Sequence, residues 1–306
     1  MRELERNAAD TSRRLPADAG PIAIAIVGRG RVGGAVAAGL RAAGHAVEGP
    51  LGRDEAPSAP VVLLCVPDGE IEAACRVAAA ARPTLVGHTS GATPLSALVA
   101  AAEAGAELVG LHPLQTIAAP DADLRGAGCA VGGSSERALT TAGELASALG
   151  MTPFAIRDDQ RAAYHAAASI ASNYLLALEA TAEEVAAGAG IAPADARALL
   201  GPLVRQTVEN WLAVGPAAAL TGPVARGDEA TVRRQQQAIK ATSPAALPTF
   251  EALTEATRRL ADSKRKDADA PPAGGRRSHF DLVRHRTSRR DEAETGPAVA
   301  RSGARA

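Results

Sequence analysis

A glycine cluster and three histidines are the residues of this sequence best suited to chemistry. Gly28, Arg29, Gly30, Arg31, Val32 and Gly33 make a G-x-G-x-x-G run. In that spacing the first glycine permits a tight turn, the second lets the backbone approach a pyrophosphate, and the third lets helix and strand pack closely. A helix opening there offers free N–H groups and the positive end of its dipole to phosphates. The histidines are His88 in His88-Thr89-Ser90-Gly91-Ala92, His112 in Leu111-His112-Pro113-Leu114-Gln115-Thr116, and His165 after Tyr164. Imidazole exchanges protons near neutral pH, which suits it to general acid–base work. His165, Ser169 and Asn173 stand at i, i+4 and i+8, so they share one face of a helix. The competing reading is a structural turn, core histidines and a wet groove without chemistry. The three histidines lack local ligand spacing and no acidic cluster lies near them, so no metal site is expected.

The elements that must position these residues follow from the pattern. Ile22 to Val27 is a short, β-branched apolar run that reads as a buried parallel strand, and a helix pattern runs from the glycines to Leu40. Similar units recur: strands at Ala46–Leu51, Val61–Val66, Thr84–Gly87, Glu107–Leu111 and Ala127–Gly132, with helices at Glu70–Ala80 and Arg137–Leu149. That alternation predicts an α/β domain, a doubly wound parallel sheet, over 21–155. From Gln160 onward strand signals stop. One long helix is expected over Arg161–Glu184, a second from Pro193 to Gly215 with a kink at Gly201-Pro202, a third from Asp228 to Lys240, and a last from Ser243-Pro244 to Leu260. An all-α domain over 156–262 follows. Residues 1–20 read as a disordered polar leader. Residues 263–306, with 11 Lys+Arg against 6 Asp+Glu and few apolar side chains, read as a disordered basic tail.

Which dinucleotide would bind depends on the tip of the second strand. NAD sites place Asp or Glu there, on the ribose hydroxyls. This strand ends in Leu51-Gly52-Arg53. Arg53, with Arg29 or Arg31, can pair a 2′-phosphate, which favours NADP(H). Glu48 and Asp54 are the competing ribose acids, one turn early and just past the tip. Val66-Pro67-Asp68 ends the next strand; Val66 and Pro67 would border the cofactor, and Asp68 suits a helix cap.

Composition narrows the classes. With 306 residues and 46% hydrophobic side chains, about two domains with sizeable cores fit. A net charge of −1 and six aromatic residues argue against a nucleic-acid partner. No apolar run reaches the ~20 residues of a membrane helix, and the charged start lacks a signal-peptide core, so no membrane partner and a cytoplasmic location are expected. Cys65, Cys75 and Cys129 sit among apolar neighbours and read as reduced core thiols.

Taken as a set, these segments resemble one group. To the motifs above are added Tyr164-His165-Ala166-Ala167-Ala168 through Asn173 and Thr221-Gly222-Pro223-Val224-Ala225-Arg226-Gly227-Asp228. The chain is similar, over about 21–262, to bacterial Rossmann-like proteins with a C-terminal helical domain of unknown function. These are relatives of pyrroline-5-carboxylate reductase and the β-hydroxyacid dehydrogenases. The resemblance implies an NADP-binding domain, a helical domain that dimerises, and reductase chemistry between them, with ketopantoate as one candidate substrate. One departure matters. β-Hydroxyacid dehydrogenases carry a catalytic Lys four residues before an Asn on this helix, and here that position, four before Asn173, is Ser169.

The expectation is therefore hydride transfer from NADPH to a C=O or C=N carbon of a small carboxylate. His165 is the expected proton donor, with His112 and Asn173 beside it. His88, Ser90, Gly91, Gln115 and Ser169 would hold substrate, with Thr221, Gly222 and Arg226 closing over it. The missing lysine also admits a protein that binds NADP(H) as a sensor or scaffold without turning it over.

Overall fold

The computed structural model describes residues 21–269; the expected leader and residues 270–306 of the expected tail lie outside it. The chain divides into two compact units, one ending at Leu178 and the other starting at Glu179.

The first unit runs β1 (Ala23–Val27), α1 (Arg31–Ala42), β2 (Ala46–Leu51), β3 (Val61–Leu64), α2 (Ile71–Ala79), β4 (Leu85–His88), α3 (Val99–Glu103), β5 (Glu107–Leu114), β6 (Gly128–Gly133), α4 (Glu136–Ala148), β7 (Thr152–Ala155) and α5 (Arg161–Ala171). The seven strands form one sheet in the order β2-β1-β3-β4-β5-β6-β7. This is the expected α/β fold with its doubly wound sheet.

Strand side chains alternate between two cores. Ile24, Ile26, Leu63, Val109 and Leu111 pack with Val36 and Leu40 of α1 and Leu145 of α4 on one face. Ala25, Val27, Val62, Leu64 and Val86 pack with Ile71 and Cys75 of α2 and Leu98 before α3 on the other. A sheet covered on both faces needs continuous apolar runs, which is why β1 and β3 lack polar residues. β1 pairs with β2 on one side and β3 on the other. The sheet therefore reverses its winding there, directly below the glycine run.

The sheet departs from the parallel expectation in one place: β5 and β6 pair antiparallel. The connection between them, 115–127, contains no helix. A parallel return needs a crossover long enough to climb back, usually helical, whereas an irregular loop brings the chain straight back.

Among the described residues, everything after β7 is helical or connecting. α6 (Asn173–Gly188) begins in the first unit and ends in the second, followed by α7 (Pro193–Ala219), α8 (Pro223–Arg226), α9 (Glu229–Thr242) and α10 (Leu247–Asp269). The expected long helix from Arg161 is broken at Ser172, whose φ of −121° and ψ of −77° leave the helical region. In α7 the non-helical residue is Gly215, with φ of 78°, rather than the expected Gly201-Pro202. The residue before a proline avoids the α region, and glycine takes positive φ without steric cost. Asp228 caps α9 as expected, its Oδ1 accepting from the Thr231 N–H at 3.0 Å. α10 continues past Leu260 to Asp269, supported by an Asp262–Arg265 ion pair one turn apart.

Candidate active site

The carboxyl ends of the parallel strands β1, β3, β4 and β5 share one edge, and the sequence-selected residues of the first unit gather there. Gly28 has φ of +121°, and a Cβ on it would stand 2.2 Å from the Cys65 carbonyl oxygen. The turn thus lies directly on the Cys65-Val66 backbone, which brings Val66 and Pro67 beside it. Gly33 would place a Cβ 1.9 Å from the Gly28 oxygen, so its missing side chain is what lets α1 start against the turn. Gly30 is different. A Cβ there would meet nothing within 4 Å, so its bare face opens outward. No side chain caps the start of α1, and no acid lies in its first turn. The free N–H groups of Arg31, Val32 and Gly33 are therefore left for an anion.

The tip of β2 completes this region. Glu48 accepts from the Ser58 and Ala59 N–H groups at 2.9 Å each and from the Ser58 hydroxyl at 3.0 Å. Its carboxylate is committed to that loop. Arg53 is exposed and ion-paired with Glu70 at 3.0 Å, and Arg29 pairs with Glu55. Exposed pairs of this kind contribute little and exchange partners readily.

A second cluster lies at the end of β5. His112 Nδ1 is 2.8 Å from the Tyr164 hydroxyl, and the rings meet edge-on with centroids 5.6 Å apart. The His165 ring is 6.1 Å from that of His112. Both face Gly91: a Cβ there would lie 2.9 Å from His112 Nε2 and 2.8 Å from His165 Cδ2. Burial, then the neighbouring His165 and Arg161, lowers the His112 pKa to about 4. Burial also raises the Tyr164 phenol to about 12. Across ordinary pH the pair is a neutral imidazole against a neutral phenol.

These groups border a cavity of about 900 Å³ that Gln115, Thr116, Ser169, Ser172, Asn173 and Phe154 also line. His165, Ser169 and Asn173 all reach it, although the helix breaks between the last two. The break sits where the Ser172 and Thr116 hydroxyls lie 3.2 Å apart. Gln115 is turned back, its amide donating to the Asp123 carbonyl at 2.8 Å.

Two expected substrate contacts are placed otherwise. His88 is fully buried, and neither ring nitrogen makes a well-aligned hydrogen bond among the described residues. Burial and the Arg161 charge lower its pKa to about 4, so it forms a neutral floor beneath the site rather than a wall of it. The Ser90 hydroxyl accepts from the Ala92 and Thr93 N–H groups at 3.2 and 3.0 Å and lies 2.9 Å from Thr93 Oγ1. It shapes the turn that presents Gly91, leaving no capacity free for a substrate.

Sequence reasoning passed over Arg161, which is fully buried at the start of α5. Its Nε donates to Asp158 at 2.7 Å, and the same carboxylate accepts from the Leu95 N–H at 2.8 Å. Its guanidinium also reaches the Ser90 carbonyl at 3.5 Å. α5, which carries His165, is thereby fastened to the turn that carries Gly91. Glycines inside β5 and β6, at Gly110 and Gly132, were the available signal, since strand glycines mark a close approach.

Thr221, Gly222 and Arg226 belong to the second unit. There Gly222, with φ of 95°, starts the short α8, which ends at the exposed Arg226. Cys65, Cys75 and Cys129 are buried free thiols, and burial raises Cys65 and Cys129 to about 12. Among the described residues no group of three or more His, Cys, Asp or Glu side chains is placed to hold a metal. Among the same residues no helix is long and apolar enough to cross a membrane.

Comparison with known proteins gives the fold a context. A family model described as "Domain of unknown function (DUF2520)" matches residues 127–257, from before β6 into α10. No curated protein matches the sequence. Among solved structures, a Bacteroides fragilis protein assigned as a candidate NADP oxidoreductase aligns with a TM-score of 0.65 at 19% identity, covering 78% of this chain and 98% of its own. A Thermotoga maritima protein aligns with a TM-score of 0.63 at 20% identity, covering 79% and 99%. A Plasmodium falciparum pyrroline carboxylate reductase with NADP bound aligns with a TM-score of 0.51 at 11% identity, covering 78% and 99%. The likeness to pyrroline carboxylate reductase expected from the motifs holds at the level of the fold.

Proposed function

We propose that this protein is an NADP(H)-dependent oxidoreductase that reduces a C=O or C=N bond of a small carboxylate. One observation carries the reading. A glycine turn with an open face at Gly30 and two histidines 6.1 Å apart beside a cavity share one sheet edge. The NADP-linked descriptions of two similarly folded proteins support it.

Gly28, Gly30 and the first N–H groups of α1 would hold the pyrophosphate, with Val66 and Pro67 alongside. Arg53 and Arg29 would exchange their glutamates for a 2′-phosphate, while Glu48, engaged at Ser58 and Ala59, is not free for the ribose hydroxyls of NAD. The bound nicotinamide supplies the hydride. His165 supplies the proton, and His112, Asn173 and Ser169, which line the same cavity, orient the substrate. Arg226 of the second unit has the chemistry of a carboxylate partner. The same reading includes a cytoplasmic homodimer. Ile170, Tyr174 and Leu176 of the first unit are each more than half exposed, as are Leu199, Leu203 and Leu212 of the second, so each unit leaves apolar side chains uncovered for self-association.

The test is loss of NADPH absorbance on mixing the protein with ketopantoate and related oxo acids, with NADH in parallel. Consumption of NADPH alone supports the reading. His165→Ala should then reduce turnover far more than NADPH affinity; an equal fall in both, or in neither, removes His165 from its role. Tight NADPH binding without turnover of any carbonyl or imine would instead favour a sensor, as Ser169 in place of the lysine does.

A further inference from the structure

The two site histidines are not equivalent, and the difference lies in Tyr164. Its hydroxyl has one hydrogen-bond partner among the described residues, His112 Nδ1 at 2.8 Å. If Nδ1 carried the imidazole proton, the phenol hydrogen would have no acceptor among the described residues. A half-buried hydroxyl hydrogen without an acceptor costs free energy, so the phenol donates and Nδ1 accepts. In a neutral ring the proton then sits on Nε2, on the edge of the ring that packs against Gly91. Nε2 has no hydrogen-bond partner among the described residues, and His112 lines the cavity. His165, which packs against Gly91 beside it, has no such orienting bond among the described residues.

We propose that Tyr164 is a positioning residue that fixes His112 as its Nε2–H tautomer, so that His112 holds the substrate's carbonyl oxygen or imine nitrogen while His165 protonates it. This rests on the reductase reading above. The reduced nicotinamide, when bound, would supply the hydride for the new C–H bond, and the π-electron pair would move to the oxygen or nitrogen. That atom takes a proton from protonated His165, which solvent then restores. His112 keeps its proton throughout. The charged and titratable groups felt at His112 are consistent with this. On α5 they are Tyr164, His165 and Arg161, and after β3 there is Asp68; burial and the cations outweigh Asp68 and keep the ring neutral.

The test needs no turnover. Histidine labelled with ¹⁵N and ¹³C reports tautomer and charge of each ring by NMR in the full chain, and a His112→Gln spectrum identifies the His112 signals. The wild type should show His112 as the Nε2–H form from about pH 8 down to about pH 5, where an ordinary histidine, with a pKa near 6.5, is already mostly charged. In Tyr164→Phe, which keeps the ring contact with Phe154, that preference should relax toward a mixture. An Nδ1–H ring in the wild type overturns the proposal whatever the variant does. So does a His112 spectrum unchanged by Tyr164→Phe. Failure of the reductase reading would show separately, as no NADPH consumption by wild-type protein. Where turnover is found, Tyr164→Phe should lower kcat about tenfold with KM for NADPH unchanged; a change in KM alone counts against the proposal.

Discussion

The guanidinium of Arg161 fills the space that a side chain at Gly110 would need: a Cβ there would stand 2.2 Å from Nη2. A buried arginine thus dictates a glycine in the middle of β5, and the pair ties the base of α5 to the strand that carries His112. Gly110→Ala should therefore destabilise the protein by roughly 1–3 kcal/mol, the usual cost of overpacking a closed core. Gly143, inside α4, is the control, because a Cβ there meets nothing within 4 Å. Gly143→Ala should stabilise by about 0.5–1 kcal/mol through helix propensity alone. Urea unfolding of both variants checks the contrast. Equal midpoints would mean that Arg161 moves aside freely.

His88 should make the protein acid-sensitive. Its pKa is lowered to about 4 in the fold, against about 6.5 for an unfolded histidine. The unfolded chain therefore binds the proton first as pH falls. The stability that depends on a neutral His88 is fully present above pH ~6.5 and drains away down to about pH 4, on the order of 3 kcal/mol in all. His88→Leu removes this share of the acid sensitivity, while His112, also lowered to about 4, keeps its own, so the slope should fall without vanishing. Because both ring nitrogens lack good partners, the substitution should cost little near pH ~7. Unfolding measured at several pH values decides it: a variant with the same acid slope as wild type assigns the sensitivity elsewhere.

These two residues also mark what was legible in the sequence. β1, the glycine turn and α1 were readable because their signals are local and agree: an apolar run, glycines at fixed offsets, then a helix pattern. β7 was not, since Thr152-Pro153-Phe154-Ala155 is short and holds a proline, a residue tolerated here because β7 is an edge strand. The antiparallel turn of β6 depended on what the 115–127 link lacks, and apolar runs do not report direction. His112 and His165 were picked as candidate reactive groups from strand and helix position. The interior placement of His88 depends on the register of β4 against β3 and β5, and no short spacing encodes that. Arg161 was passed over because arginine ordinarily reads as surface; only the glycines opposite it hinted otherwise.

The glycine turn separates binding from folding within one motif. At Gly33 a Cβ would collide with the Gly28 backbone, so Gly33→Ala should lower the melting temperature markedly. At Gly30 it would enter open space, so Gly30→Ala should fold with nearly wild-type stability and lose NADPH binding by tenfold or more, about 1.4 kcal/mol, because the methyl occupies the approach of the pyrophosphate. NADPH fluorescence titration and thermal melts of the two variants give the readout. Undiminished binding by Gly30→Ala would remove the turn from the cofactor site.

Arg53 should decide between the two nicotinamide dinucleotides. It stands exposed just past the tip of β2 in a surface ion pair with Glu70, whereas the alternative acid at Glu48 is tied to Ser58 and Ala59. A charge-assisted bond to a 2′-phosphate contributes about 1.5–3 kcal/mol, so Arg53→Ala should weaken NADPH roughly 10- to 100-fold. NADH lacks that phosphate and should bind the variant as it binds the wild type. The salt dependence of NADPH binding should also flatten, because an exposed charge contact is screened by ions. Parallel titrations with both dinucleotides at two ionic strengths test the assignment. A uniform loss for NADPH and NADH would make Arg53 a structural residue of the β2 tip and return the phosphate contact to Arg29 or Arg31.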